Sequence, residues 1–133
     1  RVKRITFQAV HELLDLRAAL GPHAARMAAA YVTADEIRTL REIVASGYEA
    51  MSSQLDIQSA ARRFHVAVAR ASRNERLALL TDNLFEELER VLRLSVDFST
   101  RKSEDSSDHL RLVDALERRD GDEAAEIGAE ALP

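Results

Sequence analysis

Two histidines and one arginine have the residue types and the surroundings that a small polar site needs. His65 follows Phe64 in a segment of helical periodicity, His109 opens a later helical segment, and Arg17 lies within an apolar helical segment. An imidazole can bind a metal or donate a hydrogen bond, and a guanidinium can hold a carboxylate with two parallel hydrogen bonds. These side chains therefore have the chemistry to bind a metal ion or a small anion.

Each of these residues also has a structural interpretation. A histidine on a helix lined by Phe64 and Val68 is compatible with an ordinary hydrogen-bonded residue of the core. Arg17 could instead form a surface ion pair with Asp15 or Glu12. The spacing alone leaves both interpretations of each residue open.

Catalysis finds little support in the sequence. The chain has no cysteine, no Gly-x-Ser-x-Gly turn and no glycine-rich phosphate loop. None of the four histidines follows a glutamate by three residues, which is the spacing that helical-bundle metal oxidases use. We therefore predict that the protein is not an enzyme, and a helical-bundle metalloenzyme is the weakest alternative.

Size and composition indicate a single globular domain over residues 1–133. Hydrophobic residues make up 46% of the chain and charged residues 32%, a balance typical of a packed core. The formal net charge of −4 argues against this segment gripping the phosphate backbone of DNA by itself. No signal peptide or apolar run long enough for a membrane span occurs, so we expect a cytoplasmic protein with no membrane contact.

Helical periodicity runs through nearly the whole chain, and we predict an all-α antiparallel bundle of six to seven helices. The first predicted helix ends near Gly21-Pro22, the second starts at Pro22, and the third starts at the capping box Thr33-Ala34-Asp35-Glu36 and reaches Met51. The fourth runs from Ile57 to Asn74, and a long fifth helix runs from Glu75 to about Phe98. A polar linker over Ser99–Ser106 then precedes two final helices, which Asp120-Gly121-Asp122 separates. The long helix has a wide apolar band, which favours a central helix or a subunit interface. The basic pair Arg118-Arg119 lies beside acidic residues and is predicted to be solvated.

The order of these motifs resembles the FCD domain, the C-terminal domain of FadR-type regulators in the GntR superfamily. The similar segments are Leu14-Asp15-Leu16-Arg17-Ala18-Ala19-Leu20, the small-residue run Ala24-Ala25-Arg26-Met27-Ala28-Ala29, the capped helix at Thr33, Phe64-His65 followed by Asn74 and Leu77, and Asp108-His109-Leu110 before an acidic glycine turn. They occur in the family's order and cover nearly the whole chain.

The resemblance implies a homodimeric domain that binds a small effector, an organic acid, in a central cavity. The effector-binding residues that it implies are Arg17, His65 and His109. It also implies contact with DNA through an N-terminal winged helix-turn-helix that this chain does not contain. We expect the effector to modulate DNA binding. The alternative is a dimerisation-only helical domain with a filled core.

The family's metal site is only partly present in this sequence. Many FCD domains hold a divalent ion such as Zn²⁺ or Ni²⁺ with an aspartate, a histidine four residues later and two further histidines. His65 and His109 match, but Ala61 stands at the aspartate position and Ala131 or Leu132 at the last histidine. Two imidazoles are fewer protein ligands than zinc normally takes. We therefore expect a metal at His65 and His109 only if another group, such as Glu130 or the effector, completes the set.

Overall fold

The computed structural model describes residues 7–49, 54–93 and 106–130. Within these ranges the chain forms six α-helices, one π-helical segment and no strand. The elements are α1 Phe7–Tyr31, α2 Ala34–Ile43, a π-helical segment Val44–Glu49, α3 Gln54–Ala71, α4 Glu75–Arg93, α5 Ser106–Glu117 and α6 Gly121–Glu130. The all-α bundle predicted from the sequence is confirmed. None of the described helices combines the length and apolar character needed to cross a bilayer.

The first two predicted helices are one continuous helix, so the predicted break at Gly21-Pro22 is wrong. Pro22 lies inside α1, where its missing N–H removes the hydrogen bond to the carbonyl of Ala18. Ala24, Ala25, Ala28 and Ala29 are buried and are strong helix formers. Packing of this face against the rest of the bundle compensates for the lost bond.

The capping box predicted at Thr33 is present at the start of α2. The Thr33 hydroxyl accepts a hydrogen bond from the Glu36 amide at 3.1 Å, and the Glu36 carboxylate accepts one from the Thr33 amide at 2.9 Å. Arg73 also donates to this carboxylate, and that hydrogen bond is the main reason why the pKa of Glu36 lies below its ordinary value of 4.5. The third predicted helix changes to π-helical geometry at Val44, and Met51 lies outside the described residues.

A tight turn joins α3 to α4 in an antiparallel hairpin. Arg73 adopts a left-handed conformation with φ of 64°, and the Asn74 side chain accepts a hydrogen bond from the Leu77 amide at 3.0 Å. Asn74 therefore caps the start of α4, close to the boundary between two helices that the sequence predicts there. The last part of the predicted long helix, 94–98, and the predicted linker up to residue 105 lie outside the described residues.

Arg119, in the turn between α5 and α6, was predicted to be solvated, but its side chain forms hydrogen bonds to the end of α1. Its backbone is left-handed, with φ of 60°, whereas Gly121 already belongs to α6. Its guanidinium donates to the carbonyls of Ala29, Ala30 and Val32 at the end of α1. These carbonyls have no partner within the helix, so Arg119 satisfies them and ties the final hairpin to α1.

The core contains residues from all six described α-helices, with α6 packed along α1 and α4 packed along α3. Phe64, Leu40, Leu116, Val44 and Val113 are its largest fully buried side chains. Many of the remaining core residues are alanines, which let the helix axes approach closely.

Removing the α2 cap should destabilise the fold by a measurable amount. We expect Thr33→Ala to lower the free energy of unfolding by about 1 kcal/mol, because the amide of Glu36 loses its acceptor. The melting temperature should fall by about 4 °C in a thermal denaturation followed by circular dichroism. Thr39→Ala, at an exposed position of the same helix, is the control and should leave the melting temperature nearly unchanged. Equal effects of the two substitutions would contradict the role of the cap.

Candidate ligand-binding cavity

An internal cavity lies between five helices and has a volume of about 40 Å³. This volume accommodates about three water molecules. Its walls come from α1, α3, α4, α5 and α6, and its lining residues are Arg17, Leu20, Gly21, Ala24, Ala25, His65, Val68, Thr81, Leu84, Phe85, Asp108, His109, Leu112, Ile127 and Gly128. Most of them are apolar, and the polar ones are few. The structure thus brings all three sequence-predicted site residues, Arg17, His65 and His109, to one cavity.

Arg17 points inward from α1. Its residue is only 8% exposed, whereas Glu12 and Asp15 are exposed on the outer side of the same helix. The guanidinium carbon lies 5.1 Å from the centroid of the Phe85 ring, the geometry of a cation–π contact. This placement agrees with Arg17 as a residue that lines the site and not with a surface ion pair to Asp15 or Glu12. The guanidinium is held beside the cavity.

The two imidazoles lie beside each other on facing helices. Their ring centroids are 5.7 Å apart, and the Nε2 atoms of both are shielded from solvent. The His65 ring stacks on Phe85 at 4.8 Å with an angle of 12° between the planes. The His109 ring meets the edge of Phe64 at a centroid distance of 4.8 Å. Two phenyl rings therefore orient the two histidines at the cavity wall.

Three further lining residues were not predicted as site residues. Phe85 supports both Arg17 and His65, but its sequence context marks it only as part of the apolar band of α4. Thr81 is buried and donates a hydrogen bond to the Leu77 carbonyl at 2.8 Å. A threonine within the apolar stripe of α4 is the signal that could have identified it. Asp108 directly precedes His109 in the motif and accepts a hydrogen bond from Arg111.

The residues at this cavity do not fit a complete metal site. Within residues 7–49, 54–93 and 106–130, no group of three or more histidine, aspartate or glutamate side chains is arranged to hold an ion. Ala61 shares a helical face with His65, one turn earlier, and is 1% exposed within the core. Its methyl group cannot bind a metal. Glu130 has no described side chain, and residues 131 and 132 lie outside the described ranges.

Comparison with known families agrees with the fold. The model of the FCD domain family matches residues 12–132. This chain belongs to the FCD domain family. FCD domains are the effector-binding and dimerisation domains of GntR-type regulators. None of the curated proteins compared with the sequence matched it.

Solved structures of GntR-type regulators share the FCD fold. The structure of Streptococcus agalactiae GntR superposes with a TM-score of 0.74 and 18% identity, covering 90% of this chain and 54% of that one. E. coli McbR/YncC also gives a TM-score of 0.74 at 18% identity, covering 98% of this chain and 63% of that one. This chain therefore spans less than two thirds of either solved chain.

The missing carboxylate at Ala61 leads to a prediction about metal binding by this FCD domain. We expect Zn²⁺ or Ni²⁺ to bind the unmodified chain weakly, because His65 and His109 supply only two ligands. Ala61→Asp should increase the affinity at least about tenfold, since a third ligand then faces the same space, as in three-ligand zinc sites. Competition with a chromogenic chelator measures this change.

The matched control for this test is Ala60→Asp. Ala60 is equally buried but faces Gly47, so its carboxylate lies away from His65. Circular dichroism should first show that both variants are folded. Tight metal binding by the unmodified chain, or equal gains in the two variants, would contradict the incomplete site.

Proposed function

We propose that this FCD domain binds a small carboxylate-bearing metabolite in its central cavity and thereby modulates DNA binding by an N-terminal domain outside this chain. The observation that supports the proposal best is the convergence of Arg17, His65 and His109 on one cavity. Cationic and hydrogen-bonding groups surrounded by an apolar wall are typical of a site that holds a small anion. The proposal gives the domain no catalytic step.

The chemistry of recognition follows from the side chains present. The Arg17 guanidinium can hold a carboxylate with two hydrogen bonds, and the imidazoles can donate further hydrogen bonds without a metal. Apolar neighbours such as Leu84 and Leu112 exclude water, which strengthens each of these interactions. With about 40 Å³ available, the cavity favours a compact acid unless the lining side chains move on binding.

Effector binding can change the affinity for DNA by changing how the helices are arranged. The cavity has lining residues on five helices, so a ligand that prefers one arrangement of them changes the population of that arrangement. Joined to a winged helix-turn-helix at its N-terminus, α1 would carry this change to two DNA-binding heads of a homodimer in the cytoplasm. Reciprocity then requires that DNA binding also change the affinity for the effector.

Exposed leucines on α1 and α4 support the homodimer. Leu16, Leu79 and Leu80 are 51%, 53% and 56% exposed, and exposed apolar side chains that gather on one face are typical of a protein interface. Leu20, one turn after Leu16, packs with Leu77, one turn before Leu80. Leu16 and Leu80 therefore lie beside the same α1–α4 contact, and we term these two residues the leucine face. A second copy of the chain, with the same face, can cover it by two-fold symmetry.

A dimerisation-only domain is the second candidate function. The small volume of the cavity and the alanine at position 61 favour it, because both reduce the space and the ligands available to an effector. In this alternative Arg17 and the two histidines are structural residues of the core. Ligand binding separates the two candidates.

Binding of an organic acid should depend on Arg17. In a thermal-shift screen of small carboxylates and sugar acids, we expect one or more acids to raise the melting temperature, since ligands of the folded state stabilise it. Arg17→Gln and His109→Gln should each weaken the affinity of such an acid about tenfold or more, as expected for a charged hydrogen bond in a buried site. Divalent ions and chelators should leave the shift unchanged.

The control for this test is Arg26→Gln, an exposed arginine on the same helix. Each variant's shift is measured from its own melting temperature without ligand. If no acid shifts the unmodified chain, or if Arg17→Gln binds as well as the unmodified chain, the effector proposal fails and the dimerisation-only domain is favoured.

Dimer formation should depend on the leucine face. We expect the chain to sediment as a dimer and the double variant Leu16→Glu, Leu80→Glu to sediment as a monomer, because two unpaired carboxylates would be buried at the interface. Tyr31→Glu is the control, since Tyr31 is also 51% exposed but lies four turns beyond Leu16 on α1. A dimer that persists in the double variant would place the interface elsewhere.

A further inference from the structure

A groove on the outer side of α3 forms a second concave surface, away from the cavity. Its volume is about 530 Å³, within the range of about 300–1,000 Å³ usual for small-molecule pockets. Val66 and Ala67 of α3 and Ile43 of α2 give it an apolar floor, and Thr39 and Ser59 add hydroxyl groups at its edge. No residue of this groove belongs to the cavity that Arg17 lines. It therefore offers a separate place for a ligand.

Two arginines that line this groove take part in none of its ion pairs. Arg63 and Arg70 are exposed residues of α3. Among the side-chain hydrogen bonds and ion pairs within the part of the chain that the structure describes, none uses either guanidinium. The two residues are two helical turns apart, so they lie on one face at a separation of about 10 Å along the axis. The apolar pair Val66 and Ala67 lies between them.

The carboxylates of the groove already have partners. Nε of Arg62 lies 2.7 Å from Oδ1 of Asp82, and Nη1 of Arg73 lies 2.8 Å from Oε2 of Glu36. These hydrogen bonds hold the pKa of Asp82 and of Glu36 below their ordinary values, so both carboxylates stay ionised and stay attached to their own arginines. The charge of Arg70 also lowers the pKa of Asp82, but the guanidinium donors of Arg63 and Arg70 take part in neither of these ion pairs.

We propose that this groove binds an elongated dianion with one acidic group at each end and an apolar middle, as in a long α,ω-dicarboxylate. One carboxylate accepts hydrogen bonds from Arg63 and the other from Arg70, and each guanidinium can do so with two parallel N–H donors. The methylene chain between them covers Val66, Ala67 and Ile43. A ligand with one carboxylate, or with a short chain, reaches only one of the two arginines.

The test is an NMR titration of the full chain, at low ionic strength and neutral pH, with decanedioate, hexanedioate and decanoate. Decanedioate separates its carboxylates by about the distance between the backbone positions of Arg63 and Arg70 along α3. We expect it to shift the amide signals of residues 59–70 and to bind about fivefold more tightly than either comparison acid, an advantage typical of a second, partly exposed ion pair. Arg63→Gln and Arg70→Gln should each remove this advantage.

Two controls separate this proposal from the proposed function. Arg38→Gln, an exposed arginine of α2 outside the groove, should leave decanedioate binding unchanged. Arg17→Gln should also leave it unchanged, although this substitution is expected to weaken binding in the cavity. Equal affinity for decanoate and decanedioate, no binding at millimolar concentration, or loss of binding only in Arg17→Gln would overturn the groove site without affecting the effector proposal.

Discussion

The direct contact between the backbones of α1 and α6 is the constraint on which the cavity depends. A Cβ atom on Gly128 would lie 3.2 Å from the carbonyl oxygen of Gly21 and 3.2 Å from Cα of Pro22, closer than ordinary packing allows. Glycine at position 128 therefore brings α6 against the middle of α1, where Gly21 lines the cavity. Because a short turn joins α5 to α6, this contact also restricts the position of α5 and of His109.

The side chains at the cavity form one supported cluster. Phe85 contacts the guanidinium of Arg17 and the ring of His65, while Phe64 contacts both imidazoles. Each polar group is thus held by an aromatic ring from the bundle, which restricts its rotation before any ligand enters. A binding site whose side chains are already ordered loses less conformational entropy on binding. This order is the physical advantage of building the site from helices in a packed core.

Local rules explain which parts of this fold could be predicted from the sequence. The capping box at Thr33 and the helical periodicity depend on residues a few positions apart, and both were predicted. The break at Pro22 was wrong because tertiary packing of the alanine-rich face outweighs one lost hydrogen bond. The left-handed residue of the last turn is Arg119 and not Gly121, since the three carbonyl contacts of Arg119 with α1 hold it there. That contact spans about ninety residues, so no local pattern shows it.

The same distinction applies to the candidate site. Arg17, His65 and His109 were identified from their residue types, their helical context and the family resemblance, and the structure places them at one cavity. The roles of Phe85 and Thr81 and the volume of the cavity depend on how five helices meet, which one-dimensional spacing does not specify.

Ala61 determines how charge is distributed around His65 and His109. A carboxylate at this position would face the same space as the imidazole one turn later and would favour a cation there. A buried methyl group leaves that helical face apolar. The fixed positive charge at the cavity is then that of Arg17, held over Phe85, and the carboxylate of Asp108 is drawn toward Arg111. This distribution of charge supports the proposal that the cavity takes an anion at Arg17, with the imidazoles, oriented by the phenyl rings, as further hydrogen-bonding groups.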